Sequence, residues 1–168
     1  MQTVTLLVVA FLFLVSLKLL KVFLERKQTT PFLYEAKPSL MTESEKIFYK
    51  TLKEVVDNRY DIFPQVSVME LVRIPKGLAF KQKTLLKNKI QAKHVDFVLC
   101  EKETTQPVLV IELDGWNHEE KKTQERDRFL RELWSSVNLP FLSVSTQTNY
   151  IPSELERDIK IKLGILSG

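Results

Sequence analysis

Residues 108–118 read Val-Leu-Val-Ile-Glu-Leu-Asp-Gly-Trp-Asn-His, and this run determines the architecture expected of the whole chain. Its first four residues are apolar, which is typical of a strand buried on both faces. Glu112 and Asp114 close the strand, and side chains two apart share a strand face. Gly115 permits a tight turn, with His118 just beyond it. This pattern suits a divalent cation with a proton carrier nearby, although a polar strand end and an ordinary Asp-Gly turn would look the same.

A second apolar segment, His94 to Cys100, carries Asp96 near its start. Asp is depleted in strands, and a buried carboxylate needs a partner or a metal. Residues 101–107 separate the two apolar segments and fit a hairpin, so the two strands should run antiparallel. Asp96, near the start of one strand, should then lie near Glu112, close to the end of the next.

Thr3 to Leu24 is an apolar run long enough to cross a membrane, for which about 20 residues are needed. Lys18 and Lys21 lie near its C-terminal end, where their ammonium groups can reach the membrane interface. No basic residue precedes the run and no small-residue cleavage site follows it, which favours an anchor over a cleaved signal peptide. The positive charge on the C-terminal side predicts a single-pass protein of the inner (cytoplasmic) membrane, with its domain in the cytoplasm. An amphipathic surface helix is disfavoured by the unbroken apolar run.

The sequence predicts three parts: a transmembrane anchor over residues 1–27, a proline-containing linker over 28–41 and a folded domain over 42–168. From residue 28 onward, 21 basic residues face 20 acidic ones, so this portion is nearly neutral. Cys100 is the one cysteine, which excludes an internal disulfide and a multi-cysteine zinc ribbon. Its position in an apolar strand predicts a buried, inert thiol.

Hydrophobic periodicity predicts the remaining elements of the domain. They are a helix over 43–57, a strand region over 60–72, a helix over 119–137, a short strand over 141–144 and a final helix from Pro152. Thr42 and Glu45 have the spacing of a capping box, so Glu45 is either a cap partner, which we favour, or a distal acid of the site. The order helix, strand, strand, strand, helix, strand, helix indicates an α/β fold.

Between residues 71 and 95 the chain has seven basic residues and no acidic one. The candidates for contact with nucleic-acid phosphates are Lys81, Lys83, Lys87, Lys89 and Lys93. Lysine outnumbers arginine here, which favours backbone contact over base readout. Charge alone leaves two alternatives open, a solvated lysine-rich loop and a segment docked on anionic lipid near the anchor.

The order of elements and the placing of the acids resemble the PD-(D/E)xK nuclease superfamily, whose restriction endonuclease-like fold has a three-layer αβββαβ core. The closer likeness is to the bacterial family known as domain of unknown function 2726. The likeness is carried by residues 95–100, by residues 110–115 with His118, by Asp127 and by residues 139–142. The Glu-Leu-Asp-Gly-x-x-His run is also similar to that of very-short-patch-repair endonuclease relatives, in which a histidine after the strand assists catalysis.

The resemblance implies that Asp96 and Glu112 are metal-binding carboxylates for Mg²⁺ or Mn²⁺. The Leu113 carbonyl would be a third oxygen ligand, and Glu45 would support the metal through water. The lysine that the superfamily places two residues after the glutamate is replaced here by Asp114.

The replacement of that lysine moves the role of base to His118, with Asp114 orienting it or binding a second ion. Alternatively, a cation from the following helix reaches the site, the candidates being Lys121, Lys122 and Arg131. Asp127 and Arg131 are four residues apart and can pair across one helical turn. Trp116 either stacks on a base or fills the core.

The expected function is therefore that of a membrane-anchored, Mg-dependent endonuclease acting on nucleic acid, with DNA as the first candidate. Its expected catalytic residues are Asp96, Glu112, Asp114 and His118. Because a fold does not fix a function, the rival is an inactive nuclease-fold module that binds nucleic acid or a protein partner at the membrane.

Overall fold

The computed structural model describes residues 2–26, 33–115 and 121–166, and the chain divides into two compact units, residues 1–37 and 38–168. The first unit contains helix α1 (Gln2–Arg26). Within it, residues 4–23 are long and apolar enough to cross a membrane, and none of this stretch is buried inside the chain. An apolar helix of this length near the N-terminus is consistent with a membrane span or a signal sequence.

The second unit is an α/β domain. Its elements are α2 (Glu43–Val55), β1 (Tyr60–Ser67), α3 (Val68–Leu71), α4 (Phe80–Ile90), β2 (His94–Glu101), β3 (Pro107–Asp114), α5 (Lys121–Ser136), β4 (Phe141–Ser145) and α6 (Pro152–Lys162). The strands form one mixed sheet in the order β1-β2-β3-β4, antiparallel from β1 to β3 and parallel between β3 and β4. The β2–β3 hairpin is confirmed, and the predicted order of elements holds except for α3 and α4, which lie between β1 and β2 and were not predicted.

Two apolar clusters pack against the sheet, and alternate residues of the central strands belong to different clusters because side chains alternate between faces. Phe97 and Ile111 pack with residues of α2 and α6, whereas Val98 and Val110 pack with residues of α5. The sheet is thus flanked by α2 and α6 on one face and by α5 on the other. Cys100 is buried in the second cluster, as its sequence position predicts.

Two expectations about the segment between β1 and β2 need correction. The strand expected over 60–72 ends at Ser67, whose hydroxyl accepts a hydrogen bond from the Met69 N–H and caps the short α3. The lysine-rich segment is not simply a loop, because residues 80–90 form α4 and Ile90 is buried in the cluster beneath α5. Burial of Ile90 fixes one face of α4 and leaves its lysines in solvent.

Candidate functional site

The sheet register brings Asp96 and Glu112 to neighbouring positions on adjacent strands. Phe97 pairs with Ile111, so the next position along the ladder places Asp96 opposite Glu112. Directly opposed residues of an antiparallel pair have Cβ atoms about 5 Å apart. The proximity expected from strand order is confirmed, because the two carboxyl groups interact directly.

Asp96 is half-buried and is oriented by the backbone of the neighbouring strand. Its Oδ2 accepts a hydrogen bond of 2.7 Å from the Leu113 N–H. Burial raises the pKa of Asp96 above its usual range, and the negative charge of Glu45 acts in the same direction. The Leu113 N–H and the positive charge of Arg126 oppose that rise in pKa without cancelling it. The Asp96 carboxyl group is therefore held in position, while its pKa stays above the usual range of an aspartate.

Glu112 is a buried acid, with 8% of its surface exposed. Within the described part of the chain its Oε1 has no hydrogen-bond partner. Its Oε2 lies 3.5 Å from Arg126 Nη2, longer than the 2.7–2.9 Å of a strong charge-assisted bond. Burial, followed by the charge of Asp96, raises the pKa of Glu112 to about 8. The positive charge of Arg126 opposes this rise in the pKa of Glu112 without cancelling it.

Two further acids surround Glu112. The charges of Asp127 and Asp114 both raise its pKa. Asp114 shares the strand face of Glu112, and its Oδ2 accepts a hydrogen bond from the Ser143 hydroxyl of β4. Asp127 is half-buried near the start of α5. Four acidic side chains thus gather at the end of β3, namely Asp96, Glu112, Asp114 and Asp127, and a bound cation would relieve their mutual repulsion.

Arg126 is a site residue that the sequence interpretation missed in favour of Arg131. The guanidinium of Arg126 opposes the raised pKa of both Asp96 and Glu112, whereas Arg131 is exposed on α5. Local spacing does not separate the two arginines, because Arg126 lies four residues before the buried Leu130 and Arg131 three residues before the buried Trp134.

Glu45 serves as the predicted cap and also acts on the site. Its Oε2 accepts a hydrogen bond of 2.6 Å from the Thr42 N–H, which completes the capping box. Its Oε1 accepts a bond of 3.0 Å from Gln65 Nε2, and its charge raises the pKa of Asp96. The two interpretations of Glu45 are therefore compatible.

Gln65 is a second residue that the sequence did not indicate. Pro64 pairs with Phe97 and Val66 with Val95, which places Gln65 opposite Asp96 in the β1–β2 register. Its φ is 53°, a left-handed conformation that costs a non-glycine residue about 1–2 kcal/mol. Strained backbone of this kind concentrates at functional sites.

Comparison with known proteins adds one finding to this geometry. The family described as "Protein of unknown function (DUF2726)" matches residues 37–163. The chain belongs to the DUF2726 family. The match includes every helix and strand from α2 to α6. Searches of curated proteins and of solved structures give no match.

Several predicted site residues of the DUF2726 domain lie outside the described residues. These are Trp116 and His118, and the side chains of Lys121 and Lys122. Their roles, the Asp127–Arg131 pairing and the Leu113 carbonyl as a ligand stay predictions. In the structure, Leu113 acts through its backbone N–H, which donates a hydrogen bond to Asp96 and orients it.

The acidic side chains of the DUF2726 domain suit a divalent cation that takes only one or two ligands from the protein. Among residues 2–26, 33–115 and 121–166, no group of three or more His, Cys, Asp or Glu side chains is placed to hold a metal. Mg²⁺, however, is usually bound by one or two carboxylates together with waters and substrate phosphates. The unpartnered Glu112 Oε1 beside Asp96 is a donor set of that kind.

The predicted nucleic-acid-binding lysines differ in their exposure to solvent. Lys81, Lys83, Lys87 and Lys89 are exposed on α4. Lys93 is half-buried, and its Nζ lies 5.7 Å from the centroid of the Phe129 ring of α5. That cation–π contact occupies Lys93 and leaves the α4 lysines as the better candidates for phosphate.

Proposed function

We propose that the DUF2726 domain is a metal-dependent nuclease of the PD-(D/E)xK superfamily. The observation that carries the proposal is the Asp96–Glu112 pair, which is packed together at the end of a sheet with one glutamate oxygen unpartnered. A buried carboxylate pair that an arginine compensates only in part destabilises a fold, so its presence favours a role in binding a cation. The helix–strand order and the mixed sheet support the superfamily assignment.

Asp96 and Glu112 would hold the Mg²⁺ or Mn²⁺ ion, which when bound would polarise a phosphodiester and lower the pKa of a water molecule. The Leu113 N–H would keep Asp96 aimed at the site. Glu45, held by Thr42 and Gln65, would hydrogen-bond the surrounding waters. As the oxygen of the attacking water bonds to phosphorus, the P–O bond to one strand end breaks, and that oxygen leaves and takes a proton from solvent. The proton lost by the attacking water would pass to His118, our candidate acceptor.

Arg126 would take over the electrostatic role of the superfamily's lysine. Its guanidinium is the positive group whose charge acts on both Asp96 and Glu112, and its side chain is 44% exposed. An exposed guanidinium at the site edge can bind a phosphate oxygen bidentately and stabilise the negative charge of the phosphorane. Asp114, held by the Ser143 hydroxyl, would orient His118 or bind a second ion.

We further propose that α1 anchors the enzyme in the cytoplasmic membrane and that the domain lies in the cytoplasm. Lys18 and Lys21 lie toward the C-terminal end of the apolar stretch, which is the arrangement of the positive-inside rule. The four exposed lysines of α4 would neutralise phosphates of the nucleic acid.

The proposal is tested by cleavage of labelled single- and double-stranded DNA and RNA by the full-length chain in detergent micelles. Cutting should require Mg²⁺ or Mn²⁺ and should fall at least about a hundredfold in Glu112→Gln and Asp96→Asn. Glu103→Gln is the matched control, because Glu103 is exposed in the hairpin turn. Cutting by both site variants at the wild-type rate would refute the assignment.

An inactive DUF2726 module that binds nucleic acid or a protein partner is the second candidate. The observation that favours it is Asp114 in the position of the superfamily's lysine, where its Oδ2 accepts a hydrogen bond from the Ser143 hydroxyl. Such a module predicts binding of oligonucleotides without cutting under any metal, and binding that is unchanged in Glu112→Gln.

A further inference from the structure

A groove separate from the acidic site lies along α4. It is formed by one face of the helix and by residues 74–76, and its volume is about 570 Å³. Cavities of about 300–1,000 Å³ are the usual size for sites that bind small organic groups. The lining residues that matter here are Lys76, Phe80, Lys83, Lys87, Asn88 and Gln91.

The residues on α4 have the spacing of a helix face that packs against a core, but most of them are polar or charged rather than apolar. Positions 80, 83, 84, 87, 88 and 91 follow the i, i+3, i+4 pattern that usually carries an apolar stripe. Here the pattern carries one aromatic ring, two lysines, one threonine and two amides. Ile90, on a different side, provides the attachment of α4 to the core. The groove face is therefore free for a ligand that is partly aromatic and partly anionic.

Phe80 is the aromatic group of the groove, and 85% of its surface is exposed. A phenyl ring in this position adds nothing to the core of the domain, and its flat face is available for stacking. Leu85 is also exposed, at 59%, but it is not part of the groove lining. This leucine provides a matched control for the loss of an exposed apolar side chain from the same helix.

The charge of the groove is uncompensated. No acidic residue occurs between residues 71 and 95, and in the described part of the chain Lys76, Lys83 and Lys87 form no ion pair. Three ammonium groups around one groove attract an anion with at least one phosphate group. Asn88 and Gln91 each add a donor and an acceptor, which is the complement of a base edge.

We propose that this groove binds a nucleotide of a single-stranded nucleic-acid segment, with its base stacked on Phe80 and its phosphates between Lys76, Lys83 and Lys87. This inference rests on the proposed function and deepens it by naming the form of the substrate. Aromatic stacking beside a basic groove is the general means by which proteins hold single strands, whereas paired bases in a duplex have no free face to offer. A lipid surface would use the lysines and the ring but has no base edge to pair with the amides of Asn88 and Gln91.

The test is fluorescence anisotropy of labelled 12-nucleotide single strands and 12-base-pair duplexes, of DNA and of RNA, with the full-length chain in detergent micelles. Chelator is present throughout, so that binding is measured without cutting. Phe80→Ala should weaken single-strand binding by about 5- to 100-fold, with Leu85→Ala unchanged. The double variant Lys83→Ala, Lys87→Ala should reduce the slope of log K against log salt by about 1.4.

Equal single-strand affinity of Phe80→Ala and the wild type would overturn the groove assignment, as would duplex binding as tight as single-strand binding. In nanodiscs containing phosphatidylserine, protection of Lys83 and Lys87 from amine labelling that single strands do not reproduce would assign the groove to lipid. If cutting needs Glu112 but not Phe80, the proposed nuclease activity is supported and the proposed role of the groove is rejected. If binding depends on Phe80 but no cutting occurs, the role of the groove is supported and the nuclease activity is rejected.

Discussion

Replacing Glu112 with glutamine should stabilise the domain at alkaline pH in the absence of metal. The pKa of Glu112 is raised to about 8 in the folded chain, against 4.5 for an ordinary glutamate. At about 1.4 kcal/mol per pH unit, this difference sets an upper limit of about 5 kcal/mol on the free energy lost by ionising Glu112 in place. Glutamine has the same shape, stays neutral and can donate a hydrogen bond to Asp96. We expect a gain of about 2–4 kcal/mol at pH 9.

The sign of the effect follows from proton binding. Between pH 4.5 and about 8 the folded chain retains a proton on Glu112 that the unfolded chain has released. The wild type should therefore be most stable, as far as this group is concerned, below pH 4.5, and should lose that contribution as the pH rises through 8. Glu112→Gln should match the wild type near pH 4.5 and exceed it increasingly toward pH 9.

The assay is thermal unfolding of the full-length chain in detergent micelles with chelator, at pH 4.5, 7 and 9. A gain of 2–4 kcal/mol corresponds to a rise in Tm of roughly 6–14 °C for a domain of this size. Glu103→Gln should show no pH-dependent difference, because Glu103 is exposed in the hairpin turn. An unchanged or lower Tm of Glu112→Gln at pH 9 would refute the reasoning, since it would mean that the ionised carboxylate is already compensated.

Substitutions at three further positions test other parts of the site. Arg126→Ala should lower the Tm at pH 9 by a few degrees, since it removes the positive group beside Glu112, and should slow cutting at least about tenfold in the nuclease assay. Gln65→Gly relieves a φ of 53° but removes the hydrogen bond to Glu45, so it should slow cutting while the Tm stays equal or rises; Gln65→Asn, which tolerates this φ, should be intermediate in rate. Thr42→Ala should lose about 1 kcal/mol in chemical unfolding, because it breaks the capping box of α2.

The sheet and the acidic pair were predictable because both depend on local patterns. Continuous apolar runs indicated β2 and β3, and the short connection between them indicated a hairpin. Given that hairpin, the positions of Asp96 and Glu112 in their strands were sufficient to place them together. The capping box of α2 was predictable for the same reason, since it depends on residues only three apart.

The remaining features depend on tertiary structure that no local pattern encodes. The left-handed φ of Gln65 is imposed by pairing on both sides of it, and glutamine has no preference for that conformation. Arg126 approaches Glu112 because α5 packs across the sheet. The segment after β1 was assigned to a strand because Val68 and Leu71 are apolar, but Ser67 caps a helical turn instead.

If Asp96 and Glu112 form a divalent-cation site, calorimetric titration of the full-length chain with Mn²⁺ should detect the bound ion. Because the pKa of Glu112 is about 8, binding at pH 7 should release close to one proton, which appears as a dependence of the heat on the ionisation enthalpy of the buffer. We expect one Mn²⁺ per chain, with that proton release, in the wild type and in Glu103→Gln, and no binding in Glu112→Gln or Asp96→Asn. Equal Mn²⁺ binding by Glu112→Gln, or no binding by the wild type, would contradict the assignment of this site.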